Sequence, residues 1–450
     1  MAPITVHPEN PHYFLWRDRA AVLVTSGEHY GAVLNADIDF SRYLDELQRC
    51  GFNLTRTFSG VYREVEGSFK IERNPLAPAP GRHLCPWARS DQSGAADGGN
   101  KFDLSRWDEA YFARLKDFVA EAGRRGIVVE LVLFCPFYGP EHWDVCPMNA
   151  ANNTSSVGGT DMDHVYTLEH DDLTGVETAM VRKIVTELNA FDNLYWEICN
   201  EPYIKSISPK TSAVSDGWQE HVAATIAETE SRLPARHLIA QNIANGSCRI
   251  ERPNPAVSVL NFHYSNPPDS LVLNRDLARP VAFDETGFRG RDDLPYRCDG
   301  WEFLIAGGAV YSHLDYSFTA SHPDGTYDFK ASPSGGGPRL RRQLSILKEF
   351  IDGFDLTPMR PANEILIGHR PEGVTLRALA VPGKAYAFYI RGDGLSRLVA
   401  VLPPGRYEAE WVNTATGEVD AAEALDHAGG AAALALPAYS DDVALRVSRM

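Results

Sequence analysis

The residues of this chain best suited to chemistry lie at the ends of two apolar, strand-like runs. The run at 194–202 reads LYWEICNEP and ends with Asn200 and Glu201, and the run at 280–287 reads PVAFDETG and contains Glu285. Asn and Glu are depleted from strands, and an unpaired carboxylate is costly to bury. Two carboxylic acids at strand ends form the apparatus of glycosidic bond hydrolysis if the fold brings them together.

These two runs belong to a series that predicts eight strands. Short runs rich in β-branched and aromatic residues cover 20–31, 52–60, 127–134, 194–202, 237–244, 257–265, 280–287 and 309–318. Amphipathic segments of helical period lie between most of them, at 38–50, 105–125, 172–191, 212–232, 294–307 and 338–353. The connections 244–257 and 265–280 are short, so two crossovers are expected to be reduced.

Alternating strands and helices predict an α/β fold in which a parallel sheet closes into a (β/α)8 TIM barrel. An open doubly wound sheet is the alternative, but no glycine-rich phosphate turn follows the first run. In a barrel, Glu201 ends strand 4 and Glu285 ends strand 7. Both acids then lie at the C-terminal mouth, where barrel enzymes keep their catalytic residues.

The pattern of predicted helices and strands changes near residue 355, which predicts two domains. Residues 1–355 are expected to form the catalytic barrel. Residues 356–450 show short strands separated by turn signals and no helical period, which predicts a β-sandwich that supports the barrel rather than binding carbohydrate. Segments 61–104 and 135–171 are long and rich in Gly, Pro, Asn and Ser, and because both follow strands we expect them to form walls of the mouth.

Composition excludes several classes of partner. The chain is 44% apolar and 23% charged, as in ordinary globular proteins, and its net charge of −17 disfavours a nucleic-acid partner, which needs a basic face. No run approaches the ~20 apolar residues of a membrane span, and the N-terminus lacks the pattern of a secretory signal. Seven scattered cysteines indicate reduced thiols rather than a zinc site. The sequence therefore predicts a cytoplasmic protein without a metal, and leaves its oligomeric state open.

The register of the seventh strand is ambiguous at Asp284 and Glu285. Successive side chains of a strand face opposite ways, so only one of the two acids is expected to enter the mouth. The alternation alone leaves open which of the two enters.

These residues resemble a known family of enzymes. The string Asn-Glu-Pro after strand 4, Glu285 at the end of strand 7 and Arg56 in NLTRTF at the end of strand 2 are similar to the glycoside hydrolases of clan A, the cellulase and β-galactosidase type of barrel. The resemblance covers about residues 15–355. It implies that Glu201 is the acid/base, that Glu285 is the nucleophile, and that Asn200 holds the sugar 2-hydroxyl. It also implies an oligosaccharide or glycoside substrate and no cofactor.

Three further residues are expected near the nucleophile. Arg56 would favour the ionised form of Glu285, with a surface salt bridge as its alternative role. Clan members commonly place a His and a Tyr one residue apart on strand 6, whereas His263 and Tyr264 are adjacent here. Which of the two faces the site stays open, and His263 has the alternative of a packed core histidine.

The remaining candidates are sugar contacts at other strand ends and loops. His29 and Tyr30 in GEHYG end strand 1 and are expected to touch sugar hydroxyls, although this segment also reads as a polar turn. Trp143, Tyr316 and Phe318 are candidate stacking platforms, or core residues.

The mechanism that follows is a retaining double displacement on a β-linked substrate. Two alternatives remain. A non-catalytic carbohydrate-binding barrel would lack one of the two acids, and both are present. A metal-dependent barrel hydrolase would need His and Asp ligands from several strands; His263 and His313 exist, but no H-x-H pair ends the first strand.

Overall fold

A computed structural model describes residues 2–265 and 267–450 and contains an eight-stranded parallel barrel. The barrel strands, numbered 1 to 8 along the chain, are Leu23–Gly27, Leu54–Phe58, Val128–Phe134, Leu194–Cys199, Ile239–Asn245, Val259–His263, Val281–Thr286 and Val310–Leu314. Strands that follow one another from 2 to 8 are paired, and strand 8 pairs with strand 1. Asn53 joins strands 1 and 2 through a backbone N–H that lies 3.3 Å from the carbonyl oxygen of Val24. The predicted fold class is confirmed.

Most helices connect strands of the barrel, and the short helix Pro140–Asp144 lies in the loop after strand 3. They are α1 (Phe40–Arg49), α2 (Glu109–Arg124), α3 (Pro140–Asp144), α4 (Asp171–Leu188), α5 (Asp216–Ser231), α6 (Asp269–Asn274), α7 (Leu294–Ile305) and α8 (Pro338–Asp352). Side chains of Asp39, Asp108 and Ser215 accept hydrogen bonds from the first amides of α1, α2 and α5, which fixes where these helices begin. The helix predicted from 105 begins later because Asn100–Trp107 pairs with Trp87–Ser93 in a hairpin.

A small N-terminal sheet covers the end of the barrel opposite the mouth. It consists of Thr5–Val6, Phe14–Trp16 and Arg19–Ala21. Phe14 packs in one cluster with residues that begin the barrel strands, such as Leu23 and Leu54. The predicted strand 20–31 is therefore divided between this sheet and barrel strand 1.

The C-terminal region is all β and has a core of its own. Its larger sheet contains, in spatial order, Arg360–Pro361, Thr375–Val381, Ala385–Arg391, Asp442–Arg449, Gly405–Asn413 and Val419–His427, and its smaller sheet pairs Arg397–Leu402 with Gly430–Ala435. Tyr407 and Trp411 are buried in this core. The region contacts α7 through a buried Arg297–Asp442 ion pair at 2.5 Å. The exact boundary at residue 355 stays a prediction.

No helix within the two described ranges has the length and apolar character needed to cross a bilayer.

Buried Glu177 on α4 gives a testable pH dependence of stability. Its Oε2 accepts a hydrogen bond from Trp218 Nε1 at 2.8 Å, and burial raises its pKa from the ordinary 4.5 to about 8. Between these values the folded state holds a proton that the unfolded state has lost, so stability falls as pH rises. We expect Glu177→Gln to remove this fall, so that at pH 8 the variant is more stable than the wild type by about 1–3 kcal/mol.

The measurement is urea unfolding of both proteins at pH 5 and pH 8. The two proteins share all other titrating groups. The difference between them in how the free energy of unfolding changes from pH 5 to pH 8 therefore reports on Glu177 alone. Parallel curves for the two proteins would show that Glu177 is ionised in the folded state.

Candidate active site

A pocket opens at the C-terminal mouth of the barrel. It contains about 370 Å³ of space between atoms, part of which is open solvent. Its lining residues come from the strand ends and from the long loops, and they are His29, Tyr30, Phe58, Tyr62, Glu64, Phe69, Leu76, Cys135, Tyr138, Asn200, Glu201, Tyr264, Glu285 and Phe288.

The two acids at the ends of strands 4 and 7 meet in this pocket. One oxygen of Glu201, one oxygen of Glu285 and a ring nitrogen of His263 all lie within 4.8 Å of one another. His263 Nδ1 is 3.2 Å from Glu201 Oε1 and 3.6 Å from Glu285 Oε1. Tyr138 Oη donates to Glu201 Oε2 at 2.5 Å. The two carboxyl groups therefore face one small space from different sides.

Glu285 is surrounded by groups that favour its charged form. Tyr30 Oη donates to its Oε2 at 2.8 Å, Tyr264 Oη donates to its Oε1, and Arg56 Nη1 lies 3.3 Å from Oε2. Burial acts to raise the pKa of Glu285, but His263, Arg56 and the tyrosine hydroxyls outweigh burial and leave this pKa lowered. Glu285 is thus an ionised carboxylate, as a nucleophile requires.

Arg56 is held rigidly beneath the pocket. Its Nε and Nη2 donate to the two oxygens of Glu197 at 2.8 and 2.7 Å, and Nη2 also donates to Asn200 Oδ1 at 2.8 Å. Asn200 Nδ2 in turn donates to Tyr138 Oη at 2.9 Å. This network fixes the side chains around both acids, and its bidentate geometry is one that lysine cannot reproduce.

Asp284 and Glu285 both point into the interior of the barrel, but at different depths. Glu285 lines the pocket, while Asp284 is fully buried beneath it, with Oδ2 2.8 Å from Asn261 Nδ2 and 3.6 Å from Arg56 Nε. The pairing of strands 7 and 8 shifts register between Phe283 and Thr286. Such an irregularity interrupts the alternation of side chains, so consecutive residues can both face the interior.

The neighbouring pair on strand 6 behaves in the same way. His263 contacts Glu201, and Tyr264 contacts Glu285, so both enter the site. The pairing of strands 6 and 7 shifts at His263, and Tyr264 has a φ of 45°. The pKa of His263 is raised well above its ordinary value because the carboxylates of Glu285 and Asp284 outweigh burial. His263 is therefore a charged residue of the site and not a neutral core histidine.

Strained backbone is concentrated around the pocket. Five lining residues have φ between 38° and 58°, a left-handed conformation that is rare for large side chains, and they are Tyr30, Phe69, Glu201, Tyr264 and Phe288. Each such residue costs about 1–3 kcal/mol, and this strain persists mainly at functional sites. A hydrogen bond from the backbone N–H of Glu201 to Asn242 Oδ1 at 3.0 Å holds Glu201 in its strained conformation.

The proposed stacking platforms have different positions from those expected. Trp143 belongs to α3, where its ring packs on Phe137 and its Nε1 donates to the Thr160 carbonyl at 3.2 Å. Phe318 packs against Tyr43 in the core. Both lie outside the pocket lining, because each is used to hold a loop or helix. Tyr316 lies behind the lining, against His29 and Phe288.

Other pocket residues have no signal of their own in the sequence. Tyr62, Glu64 and Phe69 come from segment 61–104, and Tyr138 from segment 135–171. The length of these segments indicates that they form walls, but length does not identify which side chains reach inward. Phe69 and Phe288 are 37% and 42% exposed, so the aromatic surface at the mouth comes from them.

Comparison with known proteins shows similarity in structure alone. No protein-family model matches the chain, and no curated protein sequence matches it. Many solved structures superpose on the chain, and three of them cover nearly all of it at the higher TM-scores. A protein from Bacteroides vulgatus ATCC 8482 that is assigned to the glycoside hydrolases has a TM-score of 0.70 at 16% identity, covering 100% of this chain and 82% of its own.

The second structure, a glycoside hydrolase, has a TM-score of 0.65 at 12% identity and covers 100% of this chain and 97% of its own. The third, a glycoside hydrolase family 5 protein from Bacteroides vulgatus ATCC 8482, has a TM-score of 0.63 at 12% identity, covering 99% of this chain and 93% of its own. The chain shares the fold of these glycoside hydrolases. At such low identity the likeness establishes the fold, and the chemistry must be argued from the site.

Proposed function

We propose that this protein is a retaining β-glycosidase that hydrolyses oligosaccharides or glycosides through a covalent glycosyl-enzyme. The observation that carries the proposal is the short separation of the two acids. Retaining enzymes hold their carboxyl groups about 5–5.5 Å apart, whereas inverting enzymes need about 6.5–9.5 Å to seat a water between acid and sugar. One oxygen of Glu201 and one oxygen of Glu285 lie within 4.8 Å of each other, which favours the shorter separation of the retaining enzymes.

In the first step Glu285 attacks the anomeric carbon. The bond from that carbon to the leaving oxygen breaks, and Glu201 gives its proton to this oxygen. Arg56 and Tyr30 hold Glu285 in place, and Tyr138 orients Glu201 through its hydrogen bond of 2.5 Å. The product of this step is a glycosyl ester of Glu285 and a free leaving group.

In the second step the ester is hydrolysed. Formation of the ester has removed the negative charge of Glu285, and Glu201 keeps its contact with His263 Nδ1 at 3.2 Å. Glu201 takes a proton from water, the water oxygen bonds to the anomeric carbon, and the Glu285 carboxylate leaves. Each step inverts the anomeric carbon, so the net result is retention.

The site disfavours both alternatives. A carbohydrate-binding protein does not need two carboxyl groups whose oxygens lie within 4.8 Å of each other. Two clusters of the described residues lie close enough to hold a metal ion, Glu201–His263–Glu285 and Glu130–Glu197–Asp284. In the second cluster the Arg56 guanidinium already donates to both oxygens of Glu197 and lies 3.6 Å from Asp284. Burial and these neighbouring carboxylates also raise the pKa of Glu130 well above its ordinary value.

We propose a cytoplasmic location as well. Seven cysteines are free thiols in the structure, and six of them are buried. Reduced thiols persist in the cytoplasm, where glutathione and thioredoxin keep them so.

The proposal predicts the stereochemistry of the product. Proton NMR of the reaction with a β-glycoside, recorded before the sugar mutarotates, should show the β-anomer first. An α-anomer appearing first would contradict the assignment of Glu285 as nucleophile. The same assay repeated with a chelator or with added zinc should give unchanged rates, and a loss restored by metal would favour the metal-dependent alternative.

A further inference from the structure

A second polar cluster lies in the pocket and takes no part in the proposed chemistry. His29 Nε2 is 3.1 Å from Glu64 Oε1, and both side chains line the pocket. Glu64 also accepts hydrogen bonds from Tyr62 Oη at 3.5 Å and from Asn74 Nδ2. His29 and Glu64 are 7% and 3% exposed, so this is a built and buried acid–imidazole pair.

The other nitrogen of His29 has no hydrogen-bond partner. His29 Nδ1 is buried and unpaired, and so is the hydroxyl of Tyr316, whose ring packs against His29 with centroids 5.5 Å apart. Burial acts to lower the pKa of His29, but the Glu64 carboxylate outweighs burial and leaves the pKa raised. A charged imidazole has an N–H at both nitrogens, so Nδ1 is a donor that needs an acceptor.

The position of the pair relative to the two acids identifies the part of the substrate it faces. The leaving group must lie at Glu201, which gives it a proton, and the glycone must extend away from Glu201. Tyr30, next to His29 in the chain, donates to the nucleophile Glu285 at 2.8 Å. His29 follows strand 1 and Glu64 lies in the loop after strand 2, and both line the pocket on the side of the nucleophile, where the glycone must lie.

The loop that carries Glu64 closes this end of the pocket. Glu64 N–H donates to the Leu76 carbonyl at 2.8 Å, which ties the two ends of the loop together. The loop lies so close to the segment after strand 1 that a Cβ on Gly31 would be 2.3 Å from the Pro75 carbonyl oxygen. This side of the pocket is thus a wall that carries a donor and an acceptor.

We propose that His29 and Glu64 bind hydroxyls of a single terminal sugar, and that the enzyme therefore removes one sugar at a time from the non-reducing end. This inference rests on the proposed glycosidase function. The ligand class is an unsubstituted pyranosyl unit, whose adjacent hydroxyls both donate and accept hydrogen bonds. His29 would donate to one hydroxyl oxygen, and Glu64 would accept from a hydroxyl.

The first test pairs a protein change with a substrate change. Wild type and Glu64→Gln are assayed on the nitrophenyl β-glycoside that the wild type hydrolyses, and on its 3-, 4- and 6-deoxy analogues. A hydrogen bond to a charged group is worth about 10- to 100-fold, so Glu64→Gln should lower kcat/KM on the parent glycoside by that factor. On one deoxy analogue the same variant should lose little further, because the contact is already missing.

The matched control is Glu177→Gln, which makes the same substitution at a buried glutamate outside the pocket and should leave all these ratios unchanged. Equal losses for Glu64→Gln on the parent and on every deoxy analogue would overturn the proposed contact. If Glu64→Gln does not fold, His29→Gln, which keeps a donor without the charge, is tested in the same way.

The second test uses the wild-type protein and oligosaccharides. A β-linked trisaccharide with a free non-reducing end should release monosaccharide first, and the same compound with that end capped by a methyl ether should react at least 10-fold more slowly. Equal cleavage of both, with larger first products, would overturn the inference and leave the glycosidase proposal intact. Failure to hydrolyse any glycoside would contradict the proposed function itself, and this inference with it.

Discussion

Replacing Glu285 by alanine should abolish turnover of every glycoside. Loss of an enzyme nucleophile commonly reduces kcat by roughly 10⁵-fold or more, because no covalent intermediate forms. The loss should not depend on the leaving group, since the step that fails is attack at the sugar. Initial rates on nitrophenyl and dinitrophenyl glycosides measure it. Added azide or formate should restore part of the activity, because a small anion fits the space left by the carboxylate.

The matched control for this prediction is Asp284→Asn. Asp284 lies beneath the pocket, and Asn keeps its shape and its oxygen for Asn261. We expect this variant to keep much of its activity, with any loss caused by disturbance of Arg56 and His263. The product of the rescued Glu285→Ala reaction should be the α-glycosyl adduct, since only one inversion occurs. If Asp284→Asn is inactive and Glu285→Ala is not, the nucleophile is Asp284.

Replacing Glu201 by alanine should instead divide substrates by their leaving group. A general acid contributes about 10²- to 10⁴-fold, and this contribution is lost only when the leaving oxygen needs a proton. Alkyl and sugar leaving groups should therefore react about 10³-fold more slowly. Dinitrophenolate departs without protonation, so its release should be nearly normal in the first turnover. Steady-state rates on a series of aryl glycosides whose leaving phenols are decreasingly acidic measure this dependence.

A burst of dinitrophenol should accompany the first turnover of Glu201→Ala. In this variant the base that assists hydrolysis of the glycosyl ester is also missing, so the glycosyl-enzyme accumulates. Tyr138→Phe is a graded control, because it removes only the hydrogen bond from Tyr138 to Glu201 and should give a smaller loss of the same kind. Equal losses on all leaving groups would show that Glu201 is not the acid.

Local patterns in the sequence were sufficient to predict the barrel. Strand and helix periods are short-range properties, and every predicted strand of the barrel is present within a few residues of its expected limits. Once the strands are counted, the chain order itself brings Asn200, Glu201 and Glu285 to one mouth, above Arg56. Polar residues of this kind are costly to bury without a function, and this cost identified them as candidate site residues.

The directions in which individual side chains face the site depend on tertiary contacts and could not be predicted from the sequence. Asp284 and Glu285, and likewise His263 and Tyr264, enter the interior together because the pairing of their strands is irregular, and strand pairing depends on neighbours that are distant in sequence. The same holds for His29 and Glu64, 35 residues apart, which meet because a long loop folds back over strand 1. Trp143 is the opposite case. Its aromatic side chain is of a type that can stack on a sugar, but in the structure its ring packs against Phe137. A sequence therefore determines which elements form and where their ends lie, while contacts between elements determine which side chains meet.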